Sequence, residues 1–104
     1  MKELKTENDI KSISGSKPSL IELGTPDTCM PCKMLQECLH KFEEEGTFSN
    51  MEYYYCSNPK TIMDMGYSSL PILIMVTDKV YDVETDTSIL IDDEELQGWI
   101  EARI

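Results

Sequence analysis

A chain of 104 residues, 40% hydrophobic and 28% charged, has the size and balance of one globular unit that can fill a core without disulfide stapling. Its 20 acidic and 9 basic side chains leave a formal charge of −11, which argues against nucleic acid and anionic membranes as partners and favours basic ones. No apolar run approaches the ~18 residues of a membrane span, and Met1-Lys2-Glu3-Leu4-Lys5-Thr6-Glu7 lacks the apolar core of a secretory signal, so a cytoplasmic protein is expected.

In chain order, Lys2 to Lys5 reads as a short edge strand, and Thr6 caps a short helix to about Ser12 that Gly15 and Pro18 bring to an end. Ser19-Leu20-Ile21-Glu22-Leu23 is an apolar strand, broken by Gly24-Thr25-Pro26-Asp27. From Met30 to Glu45 the spacing predicts an amphipathic helix. Met34, Leu35, Cys38, Leu39 and Phe42 form its apolar stripe, His40 lies on the wet face, and Gly46 closes it. Met51 to Cys56 is a strand by its three tyrosines, and Asn58-Pro59 opens a short helix to about Met65, stopped by Gly66.

The continuous run Pro71-Ile72-Leu73-Ile74-Met75-Val76 suits a strand buried on both faces. Thr77-Asp78-Lys79 turns it into Val80–Val83, an antiparallel hairpin. Asp92 caps a last helix, with Glu95 completing a capping box and Leu96, Trp99, Ile100 and Ile104 as the buried stripe. The acidic clusters Glu43–Glu45 and Asp92–Glu95 read as solvated helical positions. The strand–helix–strand crossover from Ser19 to Cys56 implies parallel strands, so the expected architecture is α/β, a mixed sheet with helices on both faces. Ligands dock at the ends of such strands, where Cys29 and Cys56 both fall.

Cys29-Met30-Pro31-Cys32 lies between a strand and the start of an amphipathic helix. Cys29 then occupies the cap, next to unpaired backbone N–H groups and the positive end of the helix dipole, which stabilise the nucleophilic thiolate. Cys32, in the first turn and facing inward, is placed to attack a mixed disulfide formed on Cys29. Pro31 stiffens the turn without removing a needed hydrogen bond. The rival readings are a silent structural pair and a metal site. Zinc normally takes four ligands, and Cys38, on the core stripe, and His40, on the wet face, do not easily converge with Cys29. Cys38 reads as a core residue; Cys56 reads as an unreactive thiol, with a secondary redox role as the alternative.

These segments together resemble the thioredoxin family over nearly the whole chain. The resemblance is carried by Lys17-Pro18-Ser19-Leu20-Ile21-Glu22-Leu23, by Cys29-Met30-Pro31-Cys32-Lys33, by Asn58-Pro59 and by Gly66-Tyr67-Ser68-Ser69-Leu70-Pro71-Ile72. It implies a thioredoxin fold with a mixed central sheet of four to five strands, residues 1–104 forming a single thioredoxin-like domain. It also implies a cis Leu70–Pro71 bond, although X–Pro bonds in general are cis only about 5–6% of the time. Such a bond would expose the backbone of Leu70 for strand-like pairing with a substrate segment.

The sequence departs from the family pattern at several positions. The family's tryptophan before the first cysteine is replaced by Thr28, and Trp99 lies too far along a core stripe to substitute. The family's buried aspartate beneath the second cysteine aligns with Leu23, and its partner lysine on the next strand aligns with Glu52. Glu22 is placed on the opposite face, leaving no base to help deprotonate Cys32. The late glycine that admits substrates falls near Ile89. The glutaredoxin Cys-Pro-Tyr-Cys and Gly-Gly signatures are absent, giving glutathione binding little support.

The expected function is that of a thiol–disulfide oxidoreductase, a protein-disulfide reductase in electron transport and cell redox homeostasis. Cys29 and Cys32 are its catalytic pair, and Met30, Pro31, Leu70 and Pro71 are its substrate-binding residues. No metal and no cofactor beyond the Cys29–Cys32 disulfide are expected. The expected partners are protein disulfides and an upstream thiol reductase, with the chain acting as a monomer. The alternative is a non-catalytic thioredoxin-fold binding module whose cysteines are silent or metal-bound.

Overall fold

The computed structural model describes residues 1–104. In chain order it comprises β1 Lys2–Glu3, α1 Glu7–Lys11, β2 Ser19–Leu23, α2 Met30–Glu45, β3 Glu52–Cys56, α3 Pro59–Asp64, β4 Ile72–Thr77, β5 Val80–Glu84, α4 Thr87–Leu90 and α5 Asp93–Glu101. The five strands form one mixed sheet in the order β1-β3-β2-β4-β5. β1, β3 and β2 run parallel, β4 is antiparallel to β2, and β5 returns beside β4 as the expected hairpin.

Alternation along the central strands divides the core in two. Leu20, Tyr53, Leu73 and Met75 pack with Leu35, Leu39 and Phe42 of α2 and with Leu96, Trp99 and Ile100 of α5. On the other face Ile21, Leu23, Ile72, Ile74 and Val76 pack with Ile10 of α1 and Ile62 of α3. β2 and most of β4 are therefore buried throughout, as continuous apolar runs require.

Several local expectations change. The first strand is shorter than Lys2 to Lys5, although Leu4 N–H still bonds Tyr55 O at 2.8 Å. The stripe of α2 is narrower than its spacing implied: Met34 is 42% exposed and Cys38 only half-buried, while Cys32 joins Leu35, Leu39 and Phe42 inside. Ile104 lies beyond the end of α5 and is 55% exposed, so it does not extend the buried stripe of that helix. Asp92 accepts the Glu95 N–H, but the reciprocal half of a capping box forms instead at Thr6 and Asp9. The single turn of α4 has too few residues to show a helical period and was not expected; Asp86 caps it.

Of the three glycines with positive φ, Gly15, Gly46 and Gly66, the first two hold it for different reasons. Gly46, at φ +64, closes α2 in open space. Gly15, at φ +73, lies against β4 so closely that a Cβ would stand 2.7 Å from the Val76 carbonyl. That approach lets Ser14 O and Gly15 O accept Lys79 N–H and Asp78 N–H at 2.7 and 2.9 Å, tying the loop to the β4–β5 turn. Urea unfolding should therefore separate them. Gly46→Ala is expected to lose about 1 kcal/mol, the cost of left-handed backbone, and Gly15→Ala clearly more, about 2–4 kcal/mol, because backbone must also move. Equal losses would contradict the role given to the Gly15 contact.

Candidate functional site

The first residues of α2 build the site. Cys29 is its N-cap with extended backbone (φ −131, ψ 107), so its side chain turns back over the unpaired amides of the first turn. Its sulfur accepts the Cys32 N–H at 3.3 Å. Pro31, which has no N–H to satisfy, sits within that turn. Cys29 and Cys32 are joined as a disulfide with Cα atoms 5.2 Å apart, inside the span such a bridge allows. The two sulfurs differ in access: Cys29 is partly exposed, whereas Cys32 is 0% exposed. Met30 stands out at 67% exposure, Pro31 is half-buried, and Lys33 points into water.

The Leu70–Pro71 bond is cis, as the resemblance implied. The β2–β4 ladder pairs Leu23 with Ile72, so Pro71 comes level with Gly24 one step further on, at the sheet end that carries Cys32. Pro71 is buried and Leu70 half-buried. Leu70 forms one wall of a cavity of about 350 Å³ with Pro59, Ile62, Met63, Tyr67 and Ser68. Met63, at 70% exposure, is absent from the sequence-based site; its helical position marked it only as a residue of α3. Met30 and Met63 thus leave adaptable apolar surface exposed on α2 and α3.

The largest correction concerns the position beneath Cys32. Alternation does put Glu22 and Leu23 on opposite faces, but the face covered by α2 belongs to Glu22. Leu20, two residues earlier, packs with Leu35 and Leu39 of α2, whereas Leu23 packs with Ile62 and Cys56 on the far side. Glu22 is 1% exposed and its Oε2 has no hydrogen-bond partner. That oxygen and Cys32 Sγ both lie within 3.0 Å of the point a Cβ on Gly24 would occupy. A buried carboxyl therefore does stand beneath the second cysteine, one residue before Leu23, and the Gly24–Thr28 connection absorbs the offset. Desolvation raises its pKa from 4.5 to about 8. Glu52 is not its partner: it lies level with Ser19 at the other end of β2 and meets Lys2 and Lys17 at 3.4 and 3.7 Å, while Tyr55 is level with Glu22. The sequence signal that was available is an acidic residue inside an otherwise apolar strand.

The other two thiols are held neutral. Cys38 is half-buried; its burial and its S–H donated to Asp93 Oδ1 at 3.2 Å push it up to about 12. Cys56 is fully buried on the face away from α2, and desolvation raises its pKa, with Glu3, Glu22 and Asp9 acting in the same direction. Neither side chain occupies a helix cap as Cys29 does, where unpaired backbone amides favour a thiolate. Nowhere do three or more His, Cys, Asp or Glu side chains converge as metal ligands would.

No protein-family profile and no curated protein sequence matches the chain. Solved structures do. Thioredoxin from Fasciola hepatica is similar with a TM-score of 0.78 at 14% identity, covering 100% of both chains. Plasmodium falciparum thioredoxin gives 0.74 at 15% identity, again over 100% of both. Mitochondrial thioredoxin 3 of Saccharomyces cerevisiae, in its oxidized form, gives 0.76 at 16% identity, covering 98% of this chain and 94% of that one. Likeness at this level of identity speaks to architecture, and the architecture is the thioredoxin fold, carrying a Cys-x-x-Cys disulfide at the head of its long second helix.

Proposed function

We propose that this chain is a thiol–disulfide oxidoreductase that reduces protein disulfides by dithiol exchange through Cys29 and Cys32. The observation that carries this reading is the unequal pair at the head of α2: one accessible sulfur bonded to a helix-terminal amide, and one buried sulfur beside a carboxyl. In the reduced protein the Cys29 thiolate attacks one sulfur of a substrate disulfide, forming a mixed disulfide and releasing one substrate thiolate. Cys32 then gives up its proton, attacks Cys29 Sγ and releases the second substrate thiolate. The substrate gains two electrons and the protein is left with the Cys29–Cys32 disulfide.

Glu22 is the proton acceptor for Cys32 in this scheme. A carboxyl raised to about 8 is ionised in a minority of molecules at neutral pH, and in those its carboxylate is a stronger base than an ordinary one near 4.5 and accepts the Cys32 proton. Lys33 is exposed and remains a solvated charge. Leu70 and Pro71 would hold an extended substrate segment, with Met30 and the Leu70 cavity receiving its apolar side chains. The chain would act as a monomeric cytoplasmic domain, recharged by an upstream thiol reductase, and needs no cofactor beyond its own disulfide. Its charge of −11 suits substrates with basic surfaces.

Cys29→Ser should abolish insulin-disulfide reduction, and Cys32→Ser should trap a mixed disulfide on Cys29 that is visible by intact mass. Reduction that survives Cys29→Ser would remove the assignment. Glu22→Gln should slow release from the mixed disulfide at neutral pH by about tenfold or more, within the range of general base catalysis.

Glu22 also predicts a stability profile. The unfolded chain ionises this group near 4.5 and the folded chain holds the proton to about 8. Stability from this group is thus complete below ~4.5 and lost as pH rises to ~8, at about 1.4 kcal/mol per unit. Urea denaturation of the oxidised protein should show this decline between pH 5 and pH 8 flattened in Glu22→Gln, with pH as the only variable; parallel profiles would contradict the buried neutral carboxyl.

A further inference from the structure

We propose that Gly24 is a positioning residue for Cys32: its missing Cβ keeps open the gap in which the Glu22 carboxyl and the Cys32 sulfur meet. This deepens the dithiol-exchange reading and rests on it. The connection after β2 gives glycine no conformational reason to be there, because Gly24 does not hold left-handed backbone. It is buried, and its N–H is fixed to Cys56 O at 3.2 Å, so the backbone has little freedom to retreat.

A Cβ at this position would stand 3.0 Å from both Cβ and Sγ of Cys32, and closer still to Glu22 Oε2. The first contacts are tighter than most Cβ contacts, so Cys32 would have to give by a few tenths of an ångström; the last is closer than real Cβ contacts occur, and the end of the Glu22 side chain would have to move away. Glu22 Oε2 is at the same time a buried oxygen without a partner. An orphaned acceptor aimed into a gap bounded by a thiol is an unfinished proton path, since a buried polar atom without a bond is otherwise a net loss. The reduced Cys32 S–H is the donor that completes it.

The surroundings leave Glu22 no other charged partner. Cys32 faces it from α2; Tyr55 is level with it on β3 and Leu73 on β4. Cys56 feels its charge from the far face, and burial alone accounts for the displacement of Glu22. A glutamate reaches one methylene further than an aspartate, so an occupied position 24 would be compatible with a shorter acid. Gly24 and Glu22 are therefore a matched pair.

The test follows the reduced protein with an aryl disulfide, dithiobis-nitrobenzoate, under single-turnover conditions. The first thiolate released reports attack by Cys29 and the second reports attack by Cys32 on the mixed disulfide. Gly24→Ala is expected to slow the second phase by about tenfold and to displace its pH inflection, leaving the first phase within about threefold. Adding Glu22→Asp should restore the second phase to that of Glu22→Asp alone, and adding Gly24→Ala to Glu22→Gln should have little further effect, the signature of coupled neighbours.

A second phase in Gly24→Ala that matches the unmodified protein in rate and pH dependence would overturn the proposal. So would an equal slowing in the Glu22→Gln background, which would mean that the added methyl acts on packing alone. If Gly24→Ala does not fold, Glu22→Asp/Gly24→Ala against Glu22→Asp carries the same test, and a second phase more than about threefold slower in the double variant overturns it. Absence of both phases in the unmodified protein would instead strike the dithiol-exchange reading itself.

Discussion

Cys32 rests against Gly24 where β2 ends, so closely that a Cβ on the glycine would crowd its sulfur. This contact seats the first turn of α2 on the sheet. Once Cys32 is buried there, Cys29 must be the cap, three residues earlier and at the surface. The residue of β2 that faces the helix at this point must then be Glu22, in line with Leu20. The antiparallel ladder to β4 brings Pro71 level with the same glycine. Disulfide, carboxyl and cis-proline therefore share one end of the sheet because one helix start is docked there.

The arrangement lowers stability at the position where the proposed chemistry would take place. A buried carboxyl with an unbonded oxygen is destabilising in a fold whose margin is only about 5–15 kcal/mol. Protonation limits that loss, since the neutral form is the one that burial favours. In the proposed dithiol exchange the same carboxyl is the proton acceptor, so the feature that weakens the core is the one that exchange would use. Trade-offs of this kind are common where an active site is built into a core.

Much of this was legible in the residues because period and composition agreed. Ser19–Leu23 and Met30–Glu45 emerge at the expected boundaries since a buried apolar run and a 3.6-residue stripe are strong local signals. The cis Leu70–Pro71 bond was accessible only through family resemblance; nothing local to the segment selects it. Glu22 was misplaced because counting back from Cys29 fixes a register only if the connection has the family's length, whereas packing against α2 fixes it physically. Ile104 and Met34 fit helical periods, but a period gives direction and not coverage: α5 stops before Ile104, and neighbouring elements leave Met34 partly exposed. The Leu70 cavity depends on how α3 meets the segment before β4, a tertiary relation with no sequence period.

The central claim, a reversible dithiol at Cys29 and Cys32, is tested most directly by equilibrating the protein in dithiothreitol redox buffers, quenching by alkylation and mapping all four cysteines by mass. The account predicts a two-electron transition confined to Cys29 and Cys32, at a potential below that of the glutathione pool, with Cys38 and Cys56 remaining thiols throughout. The absence of a reversible transition at this pair, or one that equally involves Cys38 or Cys56, would contradict it.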